Sequence, residues 1–324
     1  MKPSGLYANR DMIERKYLIG VDIGGTNLRV ALADMKGKIL ARTSSTTAGV
    51  RDAQLIVAKI CRCADKLLQD TGITREALAA IGAGAPGVTN AETGVVIATS
   101  YLLGWRDIPL KAMLEEALSV PAAVDNDVNL AALGESFFGA AAEVPSFVFL
   151  AVGTGLGAGI VLQDQLFQGA AWTAGEVGYM LVPGVPQDPV ELGQPGALES
   201  VIGGEGLRLQ WLSLWNPRET KLPENLTATQ IFDGAVAGDA LANSVLDRTA
   251  HALACAIFNM TLVLNTPLFV LGGSVGLHPA LRDRTQKVVD AHARLLRPEI
   301  VLSSLGSDAQ LMGAIRLAQL IAQR

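Results

Sequence analysis

The hydrophobic pattern opens with an apolar run over residues 17–23 (YLIGVDI), of the length and β-branched content of a buried strand. Gly24 and Gly25 break it, residues 28–33 resume it, and after Lys36–Gly37 a third short strand follows near 39–43. Between 52 and 70 the period changes. Leu55, Ile56, Ile60, Ala64, Leu67 and Leu68 fall at helical spacing, and Gly72 supplies a C-terminal cap. Residues 79–85 read as a strand, Pro86–Gly87 as a loop, and 109–118 as a helix with Pro at its first position.

The pattern then begins again. Residues 147–152 read as a strand, Gly153-Thr154-Gly155 as a turn, 157–162 as the returning strand, and 163–165 as the next turn. In each copy a Gly/Thr tip precedes an Asp-containing turn, Gly24 before Asp34 and Thr154 before Asp164. Two such hairpins, one per half, predict two related α/β lobes facing across a cleft. Helices are expected over 237–264 and 279–295, flanking a strand at 268–271. A last helix over 308–323 is long enough to cross back to the first lobe.

Composition narrows the class. The 324 residues suit two domains, and 50% hydrophobic against 18% charged residues allows a large core. A net charge of −5, with no Lys/Arg run longer than two, argues against a nucleic-acid surface. The apolar stretch 147–162 is punctuated by glycines, unlike a membrane span, and no apolar core of signal-peptide length precedes the first charges. Three cysteines, Cys61, Cys63 and Cys255, make no disulfide framework, so a reduced, cytoplasmic setting is expected.

Three segments carry candidate chemistry. In Asp22-Ile23-Gly24-Gly25-Thr26-Asn27 the glycines remove bulk, while N–H groups and Thr26 can donate to a phosphate and Asp22 can hold water around Mg²⁺. The same segment also fits an ordinary tight hairpin whose Asp caps a turn. Gly153 to Gly159 superficially matches a dinucleotide fingerprint, but strand rather than helix follows. A second phosphate hairpin or a crowded β-turn remains. Asp125-Asn126-Asp127-Val128-Asn129 lies at a strand-to-helix junction. Capping needs one such residue, not four in five positions, and an exposed carboxylate here could act as general base.

Taken together, DIGGTN at 22–27, DNDVN at 125–129, GTGLGAGI at 153–160, AGEVGY at 174–179, LGGSV at 271–275 and SLGSDAQLMGAI at 304–315 resemble the ROK family (repressors, open reading frames, kinases) of the actin-like ATPase superfamily. The resemblance runs from Tyr17 to Ile321. It implies a two-lobed α/β fold of the actin-like, ribonuclease H-like kind, with residues 1–125 and 306–324 in the smaller lobe and 126–305 in the larger. It implies Asp127 as catalytic base, and Asn126, Glu176 and Glu199 as ligands of sugar hydroxyls. Pro86 and Gly87 match a loop closing over the sugar; Gly24, Gly25, Thr26, Asn27 and Gly153, Thr154, Gly155 match two phosphate hairpins; Gly272 and Gly273 match a turn beside adenosine. ATP and Mg²⁺ are the implied cofactors, a dimer or tetramer the implied assembly, and glucose the leading sugar, with N-acetylhexosamines and fructose as alternatives.

The sequence departs from the family where zinc is concerned. The family's zinc-binding His is Tyr179 here, and its three Cys positions are Val190, Leu192 and Ala197. No tetrahedral site can form from these side chains, so no zinc is expected, and an apolar cluster is expected instead. In the family that His also reaches the sugar, so Tyr179 alters the substrate contacts, and Tyr101 stands where relatives carry a sugar-binding Asn. The family's repressors carry an N-terminal helix-turn-helix domain, for which the residues before the first hairpin leave no room. A catalytically silent sugar-binding protein is the remaining alternative.

Overall fold

Two five-stranded sheets of matching order frame the molecule. The computed structural model describes residues 15–99, 102–190, 194–292 and 296–323. The first half runs β1 (Tyr17–Ile23), β2 (Asn27–Asp34), β3 (Ile39–Thr46), α1 (Ala53–Thr71), β4 (Leu78–Ala85), β5 (Val88–Asn90), β6 (Val95–Ala98), β7 (Arg106–Ile108), α2 (Leu110–Leu118), β8 (Ala122–Asn126) and α3 (Asp127–Phe138). The second runs β9 (Phe147–Val152), β10 (Leu156–Leu162), β11 (Gln165–Leu166), α4 (Glu199–Ile202), α5 (Gly204–Leu214), α6 (Ala228–Val236), α7 (Ala240–Leu264), β12 (Leu268–Gly272), α8 (Gly273–Gly276), α9 (Pro279–His292), β13 (Glu299–Leu302) and α10 (Ala309–Ala322). The sheets order as β3-β2-β1-β4-β8 and β11-β10-β9-β12-β13, and β5-β6-β7 form a small third sheet. In each large sheet an antiparallel hairpin leads into parallel strands.

Each sheet buries both faces, which explains the near-continuous apolar runs. All eight residues of β4 are buried. One face of the first sheet packs with α1 and α2 around Ile19, Val21, Ile56 and Leu114, and the other packs on α10 through Leu18, Ala80, Leu311 and Ile315. The second sheet rests on α4 to α7 through Leu150, Ile202, Trp211 and Phe269, and on α3 through Phe149, Ala131 and Val161. Helix α3 therefore lies against the second sheet and, through α10, against the first. The α3–α10 contact is backbone to backbone: a Cβ on Gly313 would stand 1.7 Å from the Leu130 carbonyl oxygen.

The elements differ from the sequence reading at their ends and in three gaps, one of them filled by β13. Helix α3 begins at Asp127, inside the DNDVN segment, because the Asn126 side chain caps it by accepting from the Val128 and Asn129 N–H groups. Pro109 is the N-cap of α2 rather than its first residue. Helix α7 starts at Ala240 and not 237, since Asp239 accepts from Ala242 N and Gly238 holds φ +96°. The small sheet and helices α4 to α6 fill stretches the sequence reading left unassigned.

Candidate active site

The site is built where the two sheets' hairpins and the N-terminus of α3 converge. Hairpin one, between β1 and β2, closes by Gly24 N donating to Asn27 O at 2.8 Å, and Thr47 braces it by donating its hydroxyl to Gly24 O at 2.6 Å. Its tip residues Thr26 and Asn27 are exposed. Hairpin two closes by Gly153 N to Gly155 O at 2.9 Å, with Thr154 exposed at its tip. The two are alike in construction, and both leave short polar tips open.

Hairpin two has neighbours of its own. Gly204 N donates to Gly153 O at 2.7 Å, so α5 begins against the hairpin. The Gly272-Gly273 turn lies on the same side. Gly273 takes φ +80°, and a Cβ there would stand 2.4 Å from Val152 O, so only glycine permits the chain to leave β12 this close to β9. Gly203 and Gly204 went unnoticed in the sequence reading, although a Gly pair opening a helix is the signal that marks them.

Asp127 is the first residue of α3, behind the Asn126 cap. Burial and the nearby negative charges of Asp22 and Glu176 push its carboxyl up to about 7, against the lowering effect of the Val128 N–H. Glu176 is raised in turn by enclosure and by Glu199, and Glu199 by burial, opposed by the Leu156 N–H that its Oε2 accepts at 2.8 Å. Four predicted carboxylates, Asp22, Asp127, Glu176 and Glu199, thus form one electrostatic chain along the cleft. Such a set suits hydroxyl donors of a neutral sugar and a hydrated cation.

Asp22 sits at the end of β1, where burial raises its carboxyl and Arg29 opposes the rise. Arg29 spends both Nε (2.8 Å) and Nη2 (2.6 Å) on the Asp22 Oδ2. The Oδ1 takes no bond from Arg29, which fits an oxygen that holds water around Mg²⁺. Arg29 itself was missed from the sequence, where it is one more charge on a strand.

A cavity beside Asp127 is lined by Gly87, Asn126, Asn129, Trp172, Ala174 and Glu176, among others. Gly87 and Glu176 thus line one cavity, whereas Pro86 is buried and does not line it. Asn126 is largely committed to structure: its Oδ1 caps α3, and its Nδ2 donates to Gly87 O at 2.9 Å. One N–H remains for a ligand. Trp172 also lines the cavity. Tyr101 lies outside the described residues.

The zinc-free segment differs from expectation. Ala197 and Leu198 join the core with Val177, Val182 and Val185, but Val190 is 40% exposed and does not join an apolar cluster. Leu192 lies outside the described residues. Tyr179 is also exposed, and its phenol donates to Gln194 O at 3.2 Å. Gly196 packs directly on the Gly178 backbone, where an added Cβ would stand 2.3 Å from Gly178 O. Backbone contact and one phenol bond thus tie together the two strands of chain.

Two sheets of like order, a carboxylate at the start of the helix between them and one glycine hairpin from each define a two-lobed α/β fold of the actin-like kind. The chain belongs to the ROK family, whose model matches residues 18–321. It is 33% identical over 312 residues to a glucokinase of Halalkalibacterium halodurans, covering 92% of this chain and 93% of that protein. It is 25% identical over 332 residues to a xylose repressor of Caldicellulosiruptor bescii, covering 98% and 80%. The fold superposes with a TM-score of 0.77 on a ROK family glucokinase of Streptomyces griseus in complex with glucose and AMPPNP, at 26% identity and covering 94% and 99% of the two chains. No helix among the described residues is long and apolar enough to cross a membrane.

Proposed function

We propose that this protein is an ATP-dependent hexose kinase that phosphorylates glucose, with Asp127 as the general base. The observation that carries the reading is the place of Asp127, first residue of α3, beside a cavity lined by Asn126 and Glu176 and facing Asp22 at the end of β1; its carboxyl is raised to about 7 by burial and by those charges. A base of that strength is matched to accepting a hydroxyl proton near neutral pH.

The sugar occupies the cavity beside Asn126 and Glu176, with Glu199 bonding a further hydroxyl. Asp127 takes the proton of the attacking hydroxyl as its oxygen bonds to the γ-phosphorus and the bond to the β-bridging oxygen breaks, releasing ADP. Hairpin N–H groups with Thr26 and Thr154 hold the phosphates, and Gly272 and Gly273 border the adenosine. Asp22 would hold Mg²⁺, which would supply positive charge against the phosphates. These residues position and neutralise, which is most of what phosphoryl transfer asks of a protein.

Tyr179 favours a second reading within the same chemistry. A phenol where the family has an imidazole, already bonded to Gln194 O, removes one contact to a neutral hexose. An N-acetylhexosamine or fructose is the corresponding alternative substrate. A sugar-sensing protein without turnover would need no base tuned to neutral pH.

The test is coupled ADP release with Mg-ATP across glucose, mannose, fructose, N-acetylglucosamine and N-acetylmannosamine, beside Asp127→Asn. Turnover on glucose that falls about 10²–10⁴-fold in the variant is expected. Turnover on another sugar alone selects the second reading. Sugar binding by calorimetry with no ADP release would reject both.

A further inference from the structure

Asp125 divides its two oxygens between the two walls of the cavity. It is 2% exposed at the end of β8. Its Oδ1 accepts from Asn126 N at 2.7 Å and from Asn129 Nδ2 at 3.1 Å, fixing the segment that carries the base. Its Oδ2 accepts from Gln168 Nε2 at 2.6 Å, across 43 residues of chain.

Gln168 stands at the neck of a loop that returns at Glu176. The neck is closed by Ala174 N to Gln168 O at 3.3 Å and by Ala158 N to Gly175 O at 2.8 Å. Within the loop Trp172 holds φ +62°, a conformation disfavoured for a bulky side chain and kept only where surroundings enforce it. Asn126 and Asn129 line the cavity from the Asp125 side, and Trp172, Ala174 and Glu176 from the Gln168 side. The Asp125–Gln168 bond is a direct side-chain link between them.

We propose that Gln168 is a positioning residue that, through Asp125, sets the spacing between the two walls of the sugar cavity and so governs sugar affinity and choice. The identity of the ligand rests on the hexose-kinase reading; the clamp itself does not. Burial explains why one bond suffices. Asp125 lies in a low-dielectric site where a bond to a charged acceptor is strong and loss of the donor leaves a lone pair unmet. Burial also raises the Asp125 carboxyl to about 6, while the three donors lower it and so favour its ionised form.

The experiment compares wild type with Gln168→Leu, Gln168→Glu and the double variant Asp125→Asn/Gln168→Glu. In the double variant the amide and carboxylate exchange places: Asn at 125 accepts from Asn126 and Asn129 with its oxygen and donates to Glu at 168. The single variants are expected to raise the sugar KM about 10- to 100-fold, the range of a buried charge-assisted bond. The KM for ATP and kcat should stay within about threefold, and the ratio of kcat/KM between N-acetylated and plain hexoses should move towards one. The double variant is expected to recover most of the sugar KM. Hydrogen exchange at 167–176 should quicken in Gln168→Glu and return in the double variant. Unchanged sugar KM with unchanged exchange overturns the clamp, as does an equal loss of all parameters without recovery. If wild type releases no ADP with any hexose, the kinase reading fails by itself. The clamp then stands or falls on the exchange data alone.

Discussion

Arg29 lies directly opposite Asp22 in the β1–β2 ladder, with its Nη2 2.6 Å from the Asp22 Oδ2. The same guanidinium reaches the Ser307 carbonyl and, at 3.5 Å, the Gln310 side chain, just before and within α10. One side chain thus orients the Asp22 carboxylate and fastens hairpin one to the helix behind the first sheet. Arg29→Leu is expected to cost about 1–3 kcal/mol, between an exposed ion pair and a buried one, because Arg29 retains some solvent. The KM for Mg-ATP should rise several-fold while the sugar KM holds. Thermal melts and initial rates check both, and a variant with unchanged melting and unchanged ATP KM would remove Arg29 from the site.

Asp127 makes two predictions of opposite sign. As a base it must be deprotonated, so kcat/KM for the sugar should climb with pH and level off above about 7, falling tenfold per unit below. For stability, the folded carboxyl binds protons more tightly than the unfolded one, whose ordinary value is 3.8. Folding stability from this group therefore declines as pH rises from about 4 to about 7, the window between the two values. Asp125, raised to about 6, adds in the same direction over the lower part of that window. Asp127→Asn should then gain on the order of 2 kcal/mol at pH 8, after allowance for cleft water, while losing turnover. Denaturant titrations at pH 5 and pH 8 measure it; a variant less stable than wild type at pH 8 would contradict the assigned ionisation.

Glu199 is held by Leu156 N, at the start of β10. Glu199→Ala removes the acceptor of a partly buried backbone N–H and one proposed sugar contact together. It is expected to lose about 1–2 kcal/mol of stability and to raise the sugar KM at least tenfold. Glu199→Gln keeps an acceptor, so its stability should match wild type while its sugar KM rises. If Glu199→Gln keeps the wild-type sugar KM, the carboxylate charge is not what the sugar reads.

The central strands of both sheets were legible because they are buried on both faces and so appear as near-continuous apolar runs, whereas the short edge strands β11 and β13 were not. The DNDVN segment was legible because polar density at a strand end exceeds what capping requires. Its division of labour was not: Asn126 spends its oxygen on the cap, and only the geometry shows that Asp125 reaches Gln168. Pairings across 43 residues leave no local periodicity. Helices α4 to α6 escaped because their apolar positions mix with the glycines that crowd hairpin two. The expected apolar substitute for zinc failed at Val190 because the segment closes by backbone contact at Gly178 and Gly196, which needs no side chain.

That closure makes the last prediction. Tyr179 donates to Gln194 O from an exposed position, so its bond contributes little, about 1 kcal/mol or less. Tyr179→Phe should leave melting almost unchanged and, if this position contacts the sugar as proposed, alter sugar preference. With Val190 and Ala197 at two of the thiolate positions, no thiolate–imidazole tetrahedron can assemble around Tyr179. Dialysis against a zinc chelator, followed by restored Mg²⁺, should therefore change neither melting temperature nor rate. Loss of structure under chelation, reversed by added Zn²⁺, would show that a metal holds this segment after all.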